Sequence, residues 1–270
     1  MEDQTNLPTS GHASLLEQAL QGLRRDERVL AVLLGGSLAS GDGDEESDID
    51  LTVVVDDAVA DEFTCQWRDW LGRIRSPVVA SPGPMGNIFT TLMRDGLRLD
   101  VTVETRSSFG SRPRRAAVAL HDPLRLLAGI EVVVPRFEPT PESLRQIVEN
   151  FLRFLDQLSV VVIRKEWIAG VDNAWYLISQ LVELYARRNG APRTSARRVN
   201  ARLTAVQRSA IESLPAIQAT EEAIVDVHIA VAGLFLPAAK ELYRQLGLEW
   251  PHELEETVVL HLQRRIGARL

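Results

Sequence analysis

The sequence predicts an α+β fold: a mixed β-sheet with flanking helices over residues 1–135, then an α-helical bundle over 136–270. Three observations lead there. Short apolar runs separated by glycine- and proline-rich turns fill the first half. Helical periodicity continues almost unbroken from Thr140 to the last residue. Between the two regions Pro135, Pro139 and Pro141 mark a linker.

Residues 1 to 11 read as a loose tail. From His12 to Arg25, Leu15, Leu16, Ala19, Leu20 and Leu23 recur at helical spacing. The apolar run Val29 to Leu34 is a buried strand that feeds the turn Gly35-Gly36-Ser37. Leu38 and Ala39 suggest a short helix, broken by the acidic stretch GDGDEE, whose plainest reading is a solvated surface loop. A second strand, Leu51 to Val55, follows Asp48 and Asp50. Phe63, Trp67, Trp70, Leu71 and Ile74 share one face of a helix over 61–74, with Cys65 expected as a packed thiol between Phe63 and Trp67. Pro77 and the S-P-G-P stretch stop it. Asn87 to Leu92 and Leu97 to Glu104 are strands joined by an Arg94-Asp95-Gly96 turn. In the second of them Leu97, Leu99, Val101 and Val103 alternate with Arg98, Asp100, Thr102 and Glu104. ALHDPLRLL reads as a short strand and a turn, with His121 a turn or core histidine.

Thr140-Pro141-Glu142-Ser143 is a helix start with proline at the first helical position. Leu144 to Lys165 is one long helix or two. Further helices are expected over Trp167 to Arg188, Thr204 to Leu214, Thr220 to Gly247 and Glu253 to Leu270. Trp175 is expected in the core, or else as an acceptor wall with Asp172 and Tyr176. Arg112, Arg114 and Arg115, and the arginines from Arg187 to Arg202 (among them Arg193, Arg197 and Arg198), read as solvated charge.

Composition narrows the function. The 270 residues are enough for two domains, and a hydrophobic fraction of 45% supports a real core. A formal net charge of −7 argues against nucleic acid as the main partner and suits a cationic small substrate. The single cysteine excludes an internal disulfide and fits a reducing compartment. The N-terminus has no basic apolar leader, and no apolar run is read as long enough to span a bilayer, so a cytoplasmic protein without a membrane partner is expected. No His or Cys set has zinc spacing.

The stretch that carries chemistry is GGSLASGDGDEESDID, Gly35 to Asp50. Strand alternation turns Asp48 and Asp50 the same way, opposite to Ile49, Leu51 and Val53. Two carboxylates so close repel, and a hard divalent cation with oxygen ligands is their natural partner. The glycines permit close backbone approach, and Ser37, if it opens a helix, offers an amide and a hydroxyl to a phosphate. G-S, a loop, then S-D-I-D with apolar flanks resembles the nucleotidyltransferases of the polymerase-β type, and its spacing is similar to that of the aminoglycoside O-adenylyltransferases. The resemblance implies a nucleotidyltransferase domain over 1–135 and a helical substrate-binding or lid domain over 136–270. It implies Asp48, Asp50 and a third acid, matched by Asp100, as ligands of two Mg²⁺ ions, with Asp100 a candidate base. Glu104 is the alternative to Asp100, nearer the rim, and an Asp100–Arg98 surface pair is the plain structural alternative. It implies Gly36, Ser37 and Ser47 against the triphosphate of ATP, with Lys165 a looser candidate from the helical half.

The expected activity is transfer of AMP from ATP to a hydroxyl of an aminoglycoside. A lincosamide, a protein or a tRNA are competing acceptors, and a nucleotide-binding sensor is the non-enzymatic alternative. Oligomeric state is not legible.

Overall fold

The computed structural model describes residues 7–84, 86–111, 114, 116–131, 140–190 and 199–269. Arg112 and Arg115, the linker prolines 135 and 139, and Arg193, Arg197 and Arg198 lie outside the described residues. The chain divides into two compact units, Met1–Pro135 and Arg136–Leu270.

The first unit is a mixed six-stranded sheet with flanking helices. In chain order its elements are α1 (Ser10–Arg24), β1 (Val29–Leu34), α2 (Gly36–Ser40), β2 (Ile49–Val55), α3 (Ala60–Cys65), α4 (Trp67–Ile74), β3 (Val79–Pro82), β4 (Ile88–Leu92), β5 (Arg98–Thr105), α5 (Arg106–Phe109) and β6 (Val118–His121). The strand order is β3-β4-β5-β2-β1-β6, with β2 and β5 the parallel pair at its centre. β1 is apolar on both faces because both are covered, which is why it reads as an unbroken hydrophobic run, whereas β2 carries Asp50 and Thr52 on one face before its apolar end. Ile49, Leu51 and Val53 join the larger core with Leu15, Leu16, Trp70 and Phe89, while Val54 turns to a small core with Ala31, Leu33 and Phe109.

The expected 61–74 helix is broken at Gln66, which sits at φ −86°, ψ 19°. Its apolar face is nonetheless continuous: Phe63 stacks on Trp70 and Trp67 on Phe89, each pair 5.3 Å apart. The same geometry corrects the expectation for Cys65. Phe63 and Trp67 are four apart and share the inward face; Cys65 lies between them, about 200° round the helix from each, and is exposed. Edge strand β3 was not anticipated, since its sequence reads as a proline-rich stop.

The second unit is all helical: α6 (Pro141–Asp156), α7 (Leu158–Arg164), α8 (Trp167–Arg188), α9 (Ala205–Glu212), α10 (Glu221–Gln245) and α11 (His252–Ile266). Thr140 caps α6 by accepting from the Ser143 amide at 3.2 Å. The core is built from the inward faces of α6, α8 and α10, where Phe151 and Phe235 lie parallel with centroids 3.7 Å apart. Among the described residues α10 is long and apolar enough, by length and composition, to cross a membrane, which corrects the expectation that no such run exists. Its charges gather at the two ends, and its face of Ile224, Val227, Val231, Phe235 and Ala239 is buried in the helical core.

Candidate active site

β1 ends at Leu34 and the chain turns at once through Gly35 and Gly36 into α2. The Gly35 amide donates to the Asp50 carbonyl at 2.8 Å, so the turn is stitched to the start of β2. Gly36 has φ +61°, and a Cβ there would stand 1.9 Å from Asp50 Oδ2. Only glycine leaves that carboxylate its place.

β2 and β5 run parallel with Asp50 opposite Asp100 and Ile49 opposite Leu99. In-register neighbours on adjacent strands are about 5 Å apart and share a face. The two carboxylates therefore stand side by side, both half-buried, on the face opposite the larger core. Asp48 precedes β2 by one residue, and continuing the register brings it opposite Arg98, whose Nε donates to Asp48 Oδ1. Arg98 Nη2 also donates to the Glu46 carbonyl at 3.1 Å. The bond to Asp48, opposed by burial and reinforced by the charges of Asp48, Glu46 and Asp100, raises the pKa of Arg98 above its ordinary value. Arg98 thus pairs with Asp48 while its charge also feels Asp100, and Asp100 is half-buried where the plain alternative had it exposed. Among the described residues no three His, Cys, Asp or Glu side chains are drawn into a ready metal cage.

The donor set is nonetheless of the kind a hard divalent cation takes. Two carboxylates face one another in register, a third lies one strand pleat away, and the Gly36 cradle keeps space at Asp50.

Ser37 and Ser47 meet, with Ser37 Oγ donating to Ser47 Oγ at 3.1 Å. Ser47 Oγ also receives the Asp44 amide at 2.9 Å, so the acidic loop closes on itself. α2 has only five residues, so the hydroxyls and the turn, more than any helix dipole, make this corner fit for a phosphate. Behind the loop stands a residue the sequence did not flag. His12 is fully buried in α1; its Nε2 donates to the Ser47 carbonyl at 2.9 Å and its Nδ1 pairs with Thr9 Oγ1 at 2.7 Å. A hydrogen on Nε2 and the Thr9 hydroxyl donating to Nδ1 satisfy both contacts. The bond fixes the backbone one residue before Asp48, and no local spacing of His12 announces a contact 35 residues away.

Glu104 is not at the rim. It is 6% exposed, opposite Val54 in the sheet, and gripped by both terminal nitrogens of Arg114. Arg114 in turn lies 4.2 Å over the Phe109 ring. A carboxylate so engaged is a structural ion pair that closes the small core.

In the helical unit Lys165 ends α7 at φ +59° with an exposed side chain. Trp175 is 64% exposed, which corrects the expectation of a packed core residue. α8 buries Asn173, Ala174 and Leu177, and Trp175 falls off that arc onto the exposed side with Asp172. Tyr176 stacks on Phe154 with centroids 3.9 Å apart.

Residues 16–80 match the family model described as a nucleotidyltransferase domain. The match spans the β1–turn–β2 segment with Ser37, Asp48 and Asp50; Asp100 lies beyond it. No curated protein matches the chain. Among solved structures, an aminoglycoside 6-adenyltransferase from Bacillus subtilis is similar at 15% identity and a TM-score of 0.46, covering 98% of each chain. A nucleotidyltransferase-like protein from Exiguobacterium sibiricum is similar at 14% identity and a TM-score of 0.42, covering 93% of this chain and 88% of that one. The E. coli CdnC:HORMA complex gives a match at 15% identity and a TM-score of 0.31, covering 97% of this chain and 93% of that one. The chain carries a nucleotidyltransferase domain over residues 16–80 and is a transferase of that type.

Proposed function

We propose that this chain transfers AMP from ATP to a hydroxyl group of an aminoglycoside. One observation carries the reading: Asp50 and Asp100 stand in register beside the Gly35-Gly36-Ser37 turn, the two halves that a site for a metal-bound triphosphate needs. Asp48, Asp50 and Asp100 would hold magnesium, two ions in the full complement. When bound, magnesium supplies charge neutralisation on the triphosphate and acidifies the acceptor hydroxyl. The chain's own groups do the rest. Ser37 and Ser47, whose hydroxyls bond to each other here, would turn them to the triphosphate, the glycine turn would let its oxygens approach the backbone, and Asp100 would take the proton of the acceptor hydroxyl.

The acceptor class follows from charge. Asp42, Asp44, Glu45 and Glu46 are exposed in the loop beside the site, and the chain carries a formal net charge of −7. A polycationic acceptor gains from that field, and an anionic one such as RNA is repelled by it.

The test is pyrophosphate release from ATP and Mg²⁺ across a panel of aminoglycosides and lincosamides, with Asp50→Asn as the control. The expected outcome is release with aminoglycosides alone, lost without metal and lost in Asp50→Asn. Release with a lincosamide alone would reassign the acceptor, and silence across the panel would overturn a drug as substrate.

A further inference from the structure

We propose that Arg98 is a resident counter-cation of Asp48 and competes with the divalent ion for it. The inference rests on the metal-dependent reading of the site given above and names a residue that tunes it.

The argument starts from register. β5 offers R-L-D where β2 and its lead-in offer D-I-D, so one strand face presents a guanidinium against Asp48 and a carboxylate against Asp50. Carboxylates so close repel, and on β5 the positive charge in contact with Asp48 is Arg98. A guanidinium does not lose its proton at accessible pH, so Asp48 is released by movement of Arg98 and not by titration. The exposures of the two partners say which one moves. The Arg98 side chain is 36% exposed and Asp48 only 12%. Arg98 can swing into water with little loss of solvation, while Asp48 stays where β2 puts it.

Two consequences separate this from an ordinary ion pair. Metal affinity is held below what the carboxylates alone would give, because part of the binding free energy goes into displacing Arg98. The bond from Arg98 to the Glu46 carbonyl also ties the acidic loop to β5, so loading the metal removes one of the loop's ties and leaves the one to His12.

The test is Mn²⁺ binding to the full-length chain, with free Mn²⁺ read by electron paramagnetic resonance, for wild type, Arg98→Met, Arg98→Lys and Asp50→Asn. Arg98→Met is expected to bind Mn²⁺ about tenfold more tightly, since a full positive charge leaves the site. Arg98→Lys should fall between Arg98→Met and wild type. Without metal, Arg98→Met should melt below wild type, and Mn²⁺ should raise its midpoint by more than it raises the wild type's. Equal or weaker Mn²⁺ affinity in Arg98→Met, or a melting deficit that Mn²⁺ leaves unrepaired, overturns the proposal and leaves Arg98 a structural pair. Arg98→Gln is the second variant should the methionine protein not fold. Binding that needs Asp50 but ignores Arg98 sinks this inference alone; no binding by wild type, or binding indifferent to Asp50, sinks the metal reading with it.

Discussion

Gly36 shows how tightly single positions constrain the site. Its φ of +61° is one an alanine adopts at a penalty of about 1 kcal/mol, and the added Cβ would stand 1.9 Å from Asp50 Oδ2. Gly36→Ala must therefore push the carboxylate or the turn aside. Transfer should fall about a hundredfold or more, because displacing a reacting group by 1 Å has that effect. Stability should fall by only about 1–3 kcal/mol, measurable by urea denaturation. A Gly36→Ala protein with unimpaired turnover would mean the turn and Asp50 do not share a site. His12 acts through backbone. His12→Ala strips the donor from the Ser47 carbonyl and should cost about 1–3 kcal/mol if the acceptor stays dry. Limited proteolysis should then cut the loop over 41–47 sooner than in wild type, and an unchanged cutting rate would remove His12 from that role.

At the scale of elements, much of this was legible and the remainder has a physical reason for having been hidden. The faultless alternation of LRLDVTVE announced β5 and the face of Asp100, and the two apolar runs around the glycine turn announced β1 and β2. What alternation cannot carry is the partner strand. That β5 lies parallel to β2 with Asp50 against Asp100 depends on a crossover through α3, α4, β3 and β4, a long-range fact. The Arg98–Asp48 pair follows from that register, and the Glu104–Arg114 pair from the chain's return to β5 after α5; no local pattern announced either. Tryptophans misled for a related reason: their size suggests burial, yet the helix arc decides. Trp70 is 2% exposed, donates Nε1 to the Phe63 carbonyl and packs on Phe89, whereas Trp175 is 64% exposed. Trp70→Ala should thus destabilise the first unit by about 3–5 kcal/mol. Trp175→Ala should leave stability within about 0.5 kcal/mol of wild type. Paired chemical denaturation curves check both, and a large loss in Trp175→Ala would place that ring against something that covers it.

For the whole molecule the controlling fact is that each unit has its own core, so conditions can threaten one without the other. Acid should act on the helical unit through His228. That ring is fully buried in α10; Nδ1 donates to the Ile224 carbonyl at 2.6 Å, and Nε2 has no partner among the described residues. Burial lowers its pKa below the ordinary value of 6.5, only partly offset by the bond to Ile224. The folded state therefore resists a proton that the unfolded chain accepts. The contribution is fully present above pH 6.5 and is lost as pH falls from there toward the depressed folded pKa. Within that window the loss runs at no more than about 1.4 kcal/mol per pH unit, one proton's worth. His228→Leu removes both the titration and the unpartnered nitrogen while keeping an apolar side chain of similar bulk. It should unfold at nearly the wild-type denaturant midpoint at pH 7.5 and at a clearly higher one than wild type at pH 5. Half-buried His121, its pKa lowered by burial and by the Arg24 charge, leaves a smaller acid sensitivity of the same sign in the first unit. Denaturation followed at both pH values, with probes in each unit, reads the two effects separately. Equal midpoint shifts with pH in wild type and His228→Leu would mean that the acid limb of stability arises elsewhere.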